Sequence, residues 1–311
     1  MVLEHRLFDL FLKLLNCRRT GNNEGAYYFQ TTFLIYYCEV QRNTQTNKHM
    51  NKINIPIMSD LAARGESPEY LFWVGCAGAF DERYQKVTRA FVKLLHHAGV
   101  SYGLLGKEET CTGDPARRAG NEMLFQMQAL TVIETMKAYN VTKIITCCPH
   151  CFNTFKNEYP DLGGHYEVVH HSQFLRKLVD EGRLKADPSV FSDKTIVFHD
   201  PCYLGRGNGE YESPRAVIAA LRSKTTEMPR TRSKALCCGA GGAQMFKEAE
   251  PGNREVNAER TEEVLATGAD IVATACPFCM TMLTDGIKFR DKQEEVKNYD
   301  IAELLVQSLG L

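Results

Sequence analysis

Two stretches decide how this chain is built: DIVATACPFC (Asp270–Cys279) and its twin KIITCCPHC (Lys143–Cys151). Each begins as a short apolar run, as a buried parallel strand does, and ends in Cys-Pro-x-Cys ahead of a helical pattern. Proline in the second place of that motif suits the first helical turn, where its missing N–H leaves no bond unmade. A strand that passes into a helix through two thiols puts them at the carboxyl edge of a parallel sheet, where ligand sites form. The partial positive charge of the helix N-terminus lowers thiol pKa and favours metal ligation.

Outward from these motifs, the same order of units is met twice from Glu69 onward. The first copy opens with YLFWVGC (Tyr70–Cys76), helical YQKVTRAFVKLLHHAG (Tyr84–Gly99) and SYGLL (Ser101–Leu105). A cysteine loop, helical NEMLFQMQALTVIETMKAY (Asn121–Tyr139) and the strand–CPHC unit follow, and YEVVHHSQFLRKLVDEG (Tyr166–Gly182) closes it. The second copy runs TIVFHDPC (Thr195–Cys202), SPRAVIAALRS (Ser213–Ser223), KALCCGAGG (Lys234–Gly242) and NREVNAERTEEVLATG (Asn253–Gly268). It ends with DIVATACPFC and VKNYDIAELLVQSLGL (Val296–Leu311). The pattern predicts an α/β fold of two tandem pseudo-repeated domains, 66–188 and 189–311. Each is expected to be a mostly parallel sheet flanked by helices, with cysteine loops at the strand C-terminal ends. Residues 1–65, with the polar run Gln41–Lys52, lack this alternation and read as a disordered extension. Met50 and Met58 leave open an upstream misplaced start, and Leu7–Leu15 an amphipathic helix touching a membrane or partner. Cys17 and Cys38 lie in this extension, outside any motif.

Composition narrows the chemistry. At 311 residues and 44% hydrophobic, the chain can build a substantial core, unlike the small disulfide scaffolds of secreted proteins. Its twelve cysteines therefore read as metal ligands or redox groups. A net charge of −1 and the lack of a basic run give no reason to expect nucleic acid as a partner. No apolar stretch reaches the roughly 18 residues of a membrane span, and the start lacks the layout of a cleavable signal, so a cytoplasmic location is expected.

The cysteines occupy matching places. Cys202 is followed after thirty-four residues by Cys237–Cys238, then after thirty-seven by Cys276 and Cys279. Cys76 is followed after thirty-three residues by Thr110–Cys111, then after thirty-six by Cys148 and Cys151. Three loops from neighbouring strand ends can thus converge on one point in each copy. Vicinal Cys237 and Cys238 are poorly placed for an unstrained disulfide but can hold two irons of one cluster. Gly239, Gly241 and Gly242 let backbone N–H groups approach sulfur with no Cβ in the way.

The repeat, through LCCGAGG, FHDPCYLG and the CPxC pair, resembles the cysteine-rich CCG domain over about residues 70–311. That domain is found in heterodisulfide reductase, the glycolate oxidase iron–sulfur subunit, lactate-utilisation proteins and oxidoreductases linked to electron-transfer flavoprotein. The resemblance implies a non-cubane 4Fe–4S cluster on Cys202, Cys237, Cys238, Cys276 and Cys279. In the first copy Thr110 is read as standing where the first vicinal cysteine belongs. That leaves Cys76, Cys111, Cys148 and Cys151 for a cubane or simpler site, with Cys147 either a substitute fifth ligand or a packed thiol. CTGDPARRAGNE (Cys111–Glu122) looks like the variant loop of the flavoprotein-linked members.

Other residues keep two readings. His199 is the candidate catalytic residue, hydrogen-bonding a cluster sulfur or moving a proton, or else ordering a loop with Asp200 as a cap. His150 inside CPHC could tune the first cluster, whereas Phe278 holds the equivalent place in the second. His96, His97, His170 and His171 read as structural. Arg117, Arg118, Arg206 and Arg215 could balance an anionic cluster or bind an acidic substrate, or be surface charges. Neither GRGNG (Gly205–Gly209) nor GAGG meets the requirements of a dinucleotide loop, and no ferredoxin-type cysteine run is present.

The function expected is that of an iron–sulfur subunit of an oxidoreductase, passing electrons between a flavoprotein and a quinone or disulfide-type acceptor. The partners implied are a flavoprotein, a ferredoxin-type iron–sulfur subunit, and a membrane-bound quinone-reactive subunit that would hold the chain at the inner membrane face. Flavoprotein-linked and 2-hydroxyacid-oxidising systems are the better models by resemblance. A zinc-stabilised binding module and a thiol–disulfide oxidoreductase using a bare CxxC remain as alternatives.

Overall fold

A computed structural model describes residues 53–247 and 251–311. Helix α1 (Met58–Ala63) leads into β1 (Tyr70–Trp73), and α2 (Gly75–Phe80) and α3 (Tyr84–His97) into β2 (Tyr102–Gly103). Then come α4 (Asp114–Arg118), α5 (Glu122–Ala138), β3 (Lys143–Thr146), α6 (Pro149–Asn153), β4 (Glu167–His170) and α7 (His171–Asp180). The second repeat runs β5 (Thr195–Phe198), α8 (Glu212–Ala220), β6 (Lys224–Thr226), α9 (Val256–Ala266) and β7 (Ile271–Thr274). Helix α10 (Pro277–Phe289), β8 (Lys297–Asp300) and α11 (Ile301–Leu309) complete it.

Each repeat forms a four-stranded sheet, ordered β2-β1-β3-β4 and β6-β5-β7-β8, and every pairing is parallel. The registers correspond, Leu71 to Ile144 in the first sheet and Val197 to Val272 in the second. The central strands YLFW, KIIT, TIVF and IVAT are apolar at nearly every position because helices cover both sheet faces. Alternation sorts their side chains. Phe72, Ile145, Phe198 and Ala273 face one core shared by both repeats. Leu71, Trp73 and Ile144 face an outer core under α5, and Val197 and Val272 another under α9 and α10.

The shared core fuses the two expected domains into one compact unit. Helix α7, which closes the first repeat, packs on α8 of the second, while α11 packs back on α3 of the first. The two closing helices also meet through their caps. His170 caps α7 and Asp300 caps α11, each within a capping box. Asp300 Oδ1 lies 3.0 Å from His171 Nε2, with His170, His171 and Asp300 fully buried. Arg83, just ahead of α3, pairs with Glu303 of α11 at 2.7 Å, and Tyr84 Oη donates to the Cys147 carbonyl at 3.1 Å. His170 and His171 thus join the repeats.

The amino-terminal boundary shifts from the one expected at residue 66. Ile57 bridges to Leu104 in parallel, Leu104 N–H donates to the Pro56 carbonyl at 2.9 Å, and Met58 N–H to the Leu104 carbonyl at 2.8 Å. Met58 and Leu61 are buried in the outer core, so residues 53–65 extend the first repeat. They approach β2 closely: a Cβ on Gly103 would come within 2.7 Å of Met58 Sδ. The stretch Leu7–Leu15, Cys17 and Cys38 lie outside the described residues. No helix among the described residues is long and apolar enough to cross a membrane.

Asp300 satisfies a helix terminus and a buried histidine together. Asp300→Ala is expected to destabilise the protein by about 2–4 kcal/mol, the sum of a lost cap and a buried polar group left without its partner. Urea unfolding would measure this, with Asp300→Asn, which keeps a cap acceptor, losing less.

Candidate functional site

Both cysteine sets sit at the carboxyl edges of the sheets. In each sheet the chain leaves an inner strand for the edge on one side, then returns to build on the other side. The loops after β1 and β3, and after β5 and β7, therefore diverge and leave a crevice between them. Cys76 follows β1 at the start of α2, and Cys148 and Cys151 follow β3 around the start of α6. Cys202 follows β5, while Cys276 and Cys279 span the start of α10. The third loop of each repeat, beyond β2 or β6, delivers Cys111 or the pair Cys237–Cys238.

In the second repeat, side-chain contacts run unbroken from Cys202 to Cys237, Cys238, Cys279 and Cys276. In the first, Cys76 contacts Cys111 and Cys148 contacts Cys151, and Cys76 lies close enough to raise both Cys148 and Cys151. All ten described cysteines are free thiols. Crowding divides them. Hydrogen bonds from Cys202 and Cys238 hold Cys237 well below the ordinary thiol range. Burial opposes ionisation of Cys276, but hydrogen bonds from Cys279 and His150 bring it down to about 5. Cys202 is raised by Cys237, and Cys279 by Cys238 and Cys276. Neighbouring anions keep one another protonated when no cation shares their charge.

The repeats correspond atom by atom, and the correspondence corrects the assignment of Thr110. Gly239 N–H donates to Cys237 Sγ at 3.3 Å, and Gly113 N–H to Cys111 Sγ at 3.4 Å. Both glycines have positive φ, +93° and +88°, which a side chain would strain. Cys111 contacts Cys76 as Cys237 contacts Cys202. Thr112 Oγ1 donates to Cys151 Sγ at 3.8 Å, in the place where Cys238 contacts Cys279. Thr112, rather than Thr110, therefore stands for the missing cysteine, and Cys-Thr-Gly (111–113) is the counterpart of Cys-Cys-Gly (237–239).

Cys147 does not join this group. It is 2% exposed on the shared-core side, with Ile145, whereas Cys148 and Cys151 lie in the outer core with Ile144. Adjacent residues at a strand end face opposite ways. Burial raises the Cys147 thiol well above its ordinary range.

His199 is fully buried, and its Nδ1 accepts from Arg260 Nε at 3.0 Å. Because a guanidinium only donates, the imidazole proton lies on Nε2. Burial first, and then Arg260, lowers His199 to about 3, so the ring is neutral. Its Nε2 has no hydrogen-bond partner among the described residues, and His199 offers a ligand atom within 4.8 Å of both Cys238 and Cys279 Sγ. Neighbouring Asp200 accepts from Arg215 at 2.7 and 2.9 Å and from Arg232 N–H at 2.8 Å, ordering the loops beyond β5 and β6.

The arginines near the loops are engaged. Arg117 pairs with Glu158, Arg118 with Asp114 and Glu158, and Arg215 with Asp200 and Glu227. Arg206 donates to the Ala235 carbonyl. His150 Nδ1 lies 2.9 Å from Asp114 Oδ2. Although burial would lower it, hydrogen bonds with Asp114 and Cys276 hold it up at about 10. A small cavity at the first site is lined by Cys76, Cys111, Cys148, Cys151, His150 and, from the second repeat, Phe278.

The cysteine-rich domain model named CCG matches residues 70–156 and 196–284, more than half of the chain and all nine of these contacting thiols. The chain belongs to the cysteine-rich CCG domain family. It is 46% identical over 256 residues to the probable iron-sulfur-binding oxidoreductase FadF of Bacillus subtilis, covering 82% of this chain and 36% of that protein. It is 43% identical over 251 residues to the EtfAB:quinone oxidoreductase of Syntrophomonas wolfei, covering 79% and 35%. To a dihydromethanophenazine:CoB--CoM heterodisulfide reductase subunit of Methanosarcina acetivorans it is 34% identical over 253 residues, covering 78% and 59%. The chain thus spans about a third of the length of the first two relatives. The closing units β4–α7 and β8–α11 lie outside the matched CCG segments.

Three residues around the CCG loops carry no mark in the sequence. Arg260 orients His199 from the buried side of α9, and Asp114 holds His150. Buried Glu109 accepts from the N–H groups of Val74 and Gly75 at 3.2 and 2.6 Å, tying two cysteine loops together, and burial pushes it up to about 8. Thr112 was within reach of the sequence: thirty-four residues precede Cys111 after Cys76, the same number as precede Cys237 after Cys202. Arg260→Leu removes the donor to His199 Nδ1. Nitrogen-15 spectra of labelled histidine should show His199 wholly as the Nε2–H form in the wild type and as a tautomer mixture in the variant.

Proposed function

We propose that the chain binds one iron–sulfur cluster in each repeat and serves as the electron-transfer portion of an oxidoreductase, passing electrons between a flavoprotein and a quinone or disulfide-type acceptor. The unbroken contact of Cys202, Cys237, Cys238, Cys279 and Cys276 carries this reading. Five sulfurs exceed the four of a tetrahedral zinc site, and the adjacent pair can serve two irons of one cluster. A bare CxxC oxidoreductase would leave Cys202 and Cys237–Cys238 without a role.

In this reading those five residues hold a non-cubane 4Fe–4S cluster, and Cys76, Cys111, Cys148 and Cys151 hold a 4Fe–4S cluster of four-thiolate type. The clusters supply one-electron chemistry, while the protein supplies ligands, hydrogen bonds and a low dielectric. His199 Nε2–H is available to donate to sulfur, and its neutrality at ordinary pH makes it a hydrogen-bond donor rather than a carrier of protons. The relative named EtfAB:quinone oxidoreductase supports a flavoprotein as donor and a quinone as acceptor. The relative from heterodisulfide reductase supports the disulfide-type alternative for the acceptor. A 2-hydroxyacid-oxidising assembly is less well supported.

Anaerobically reconstituted protein should contain iron and acid-labile sulfide, with two electron paramagnetic resonance signals. Cys238→Ser should abolish one signal and lower iron by about half, whereas Cys147→Ser should change neither; zinc without sulfide would overturn the reading. Thr112→Cys supplies the first repeat with its fifth sulfur, so the signal that survives in Cys238→Ser should change its g-values in Thr112→Cys. An unaltered signal would show that position 112 stands outside that cluster's surroundings.

A further inference from the structure

His150 belongs by sequence to the CPHC turn of the first repeat, yet while its Nδ1 bonds to Asp114 at 2.9 Å, its ring also interacts with the thiol of Cys276 in the second repeat. Its surroundings are also largely those of the second repeat. The ring lies 4.3 Å from the Tyr203 ring and 4.8 Å from that of Phe278, and the residue is 6% exposed. Asp114 is itself held in place, accepting from Arg118 Nε at 2.9 Å. Phe278, the counterpart of His150 in CPFC, has no donor to offer in return. Among the described residues, the ring-to-sulfur contact between CPHC and CPFC therefore points one way, from the first repeat to the second.

We propose that His150 is a positioning residue that acts across the repeats: by donating to the sulfur of Cys276, it raises the reduction potential of the second-repeat cluster. A hydrogen bond to a ligand sulfur draws off negative charge and favours the reduced cluster. Asp114 aims the ring, so its effect passes through His150. The inference rests on the iron–sulfur reading above and requires no change of protonation.

The test is a redox titration of reconstituted protein followed by electron paramagnetic resonance, the second-repeat cluster being identified as the signal missing from Cys238→Ser. His150→Phe, which copies the second repeat, should retain iron and shift that signal to a more negative potential while leaving the other where it was. His150→Gln, which keeps an N–H donor, should restore much of the difference. Asp114→Asn, which keeps the ring but weakens its anchor, should shift the same signal less, and it serves as the test should His150→Phe fail to load iron. An iron-loaded variant whose second-repeat potential is unmoved, or one in which only the first-repeat potential moves, overturns this inference alone. Wild-type protein that takes up no iron overturns the underlying reading and this inference with it.

Discussion

The packing of each closing helix against a helix of the other repeat is the constraint on which the remaining structure depends. The first sheet's inner face is covered by its own helices, Phe91 of α3 on Phe72 and Phe174 of α7 on Tyr70, and the helices of the two halves pack on one another, α7 against α8 and α11 against α3, so that one core serves both. Burial of apolar surface drives this pairing but leaves its register loose, because hydrophobic contact has no direction. Direction comes from Asp300 against His171 and from Arg83 against Glu303, polar contacts that fit only one alignment of the halves. Once that alignment is fixed, the carboxyl edges of both sheets come together, and Cys148 lies close enough to Cys276 to be raised by it.

Within this near-symmetry the chemistry differs at two positions. Thr112 stands where Cys238 stands, and His150 where Phe278 stands. The first exchange leaves the first repeat one sulfur short while keeping the contact with Cys151, since a hydroxyl can donate where a thiol did. The second gives the seam a donor on one side only. The first change leaves the backbone alone, as the positive-φ glycines Gly113 and Gly239 and their N–H···S bonds attest. The same frame can thus present two different sulfur environments.

Much of this was legible in the sequence where burial on both faces wrote an unbroken apolar run. The strands of YLFW, KIIT, TIVF and IVAT, and the thiols beyond them, follow from periodicity and spacing. Strand β6 was not legible, because KTT lies at a sheet edge, is partly exposed, and has no need of apolar residues. Helix α1 was hidden in the polar extension, since Met58 and Leu61 suffice to dock it. Thr112 was misplaced because spacing was counted along a connection of unequal length: thirty-six residues separate Cys111 from Cys148, and thirty-eight Cys237 from Cys276. Arg260 was invisible for another reason. A charged residue in a helix reads as exposed, and only the tertiary fold reveals that it faces His199.

Charge in the second repeat bears on what a bound cofactor would supply to these loops. Cys237 and Cys276 are stabilised as thiolates by their neighbours, and that stabilisation raises Cys202 and Cys279 in turn. The Gly239 N–H bonds to Cys237, and Arg260 bonds to His199 and Glu263 while its buried Nη2 has no hydrogen-bond partner among the described residues. A multivalent cationic centre would resolve the conflict between neighbouring thiols, because it ionises every thiol and shares the charge among them. His199, neutral and with its Nε2–H without a hydrogen-bond partner among the described residues, stands within reach of Cys238 and Cys279.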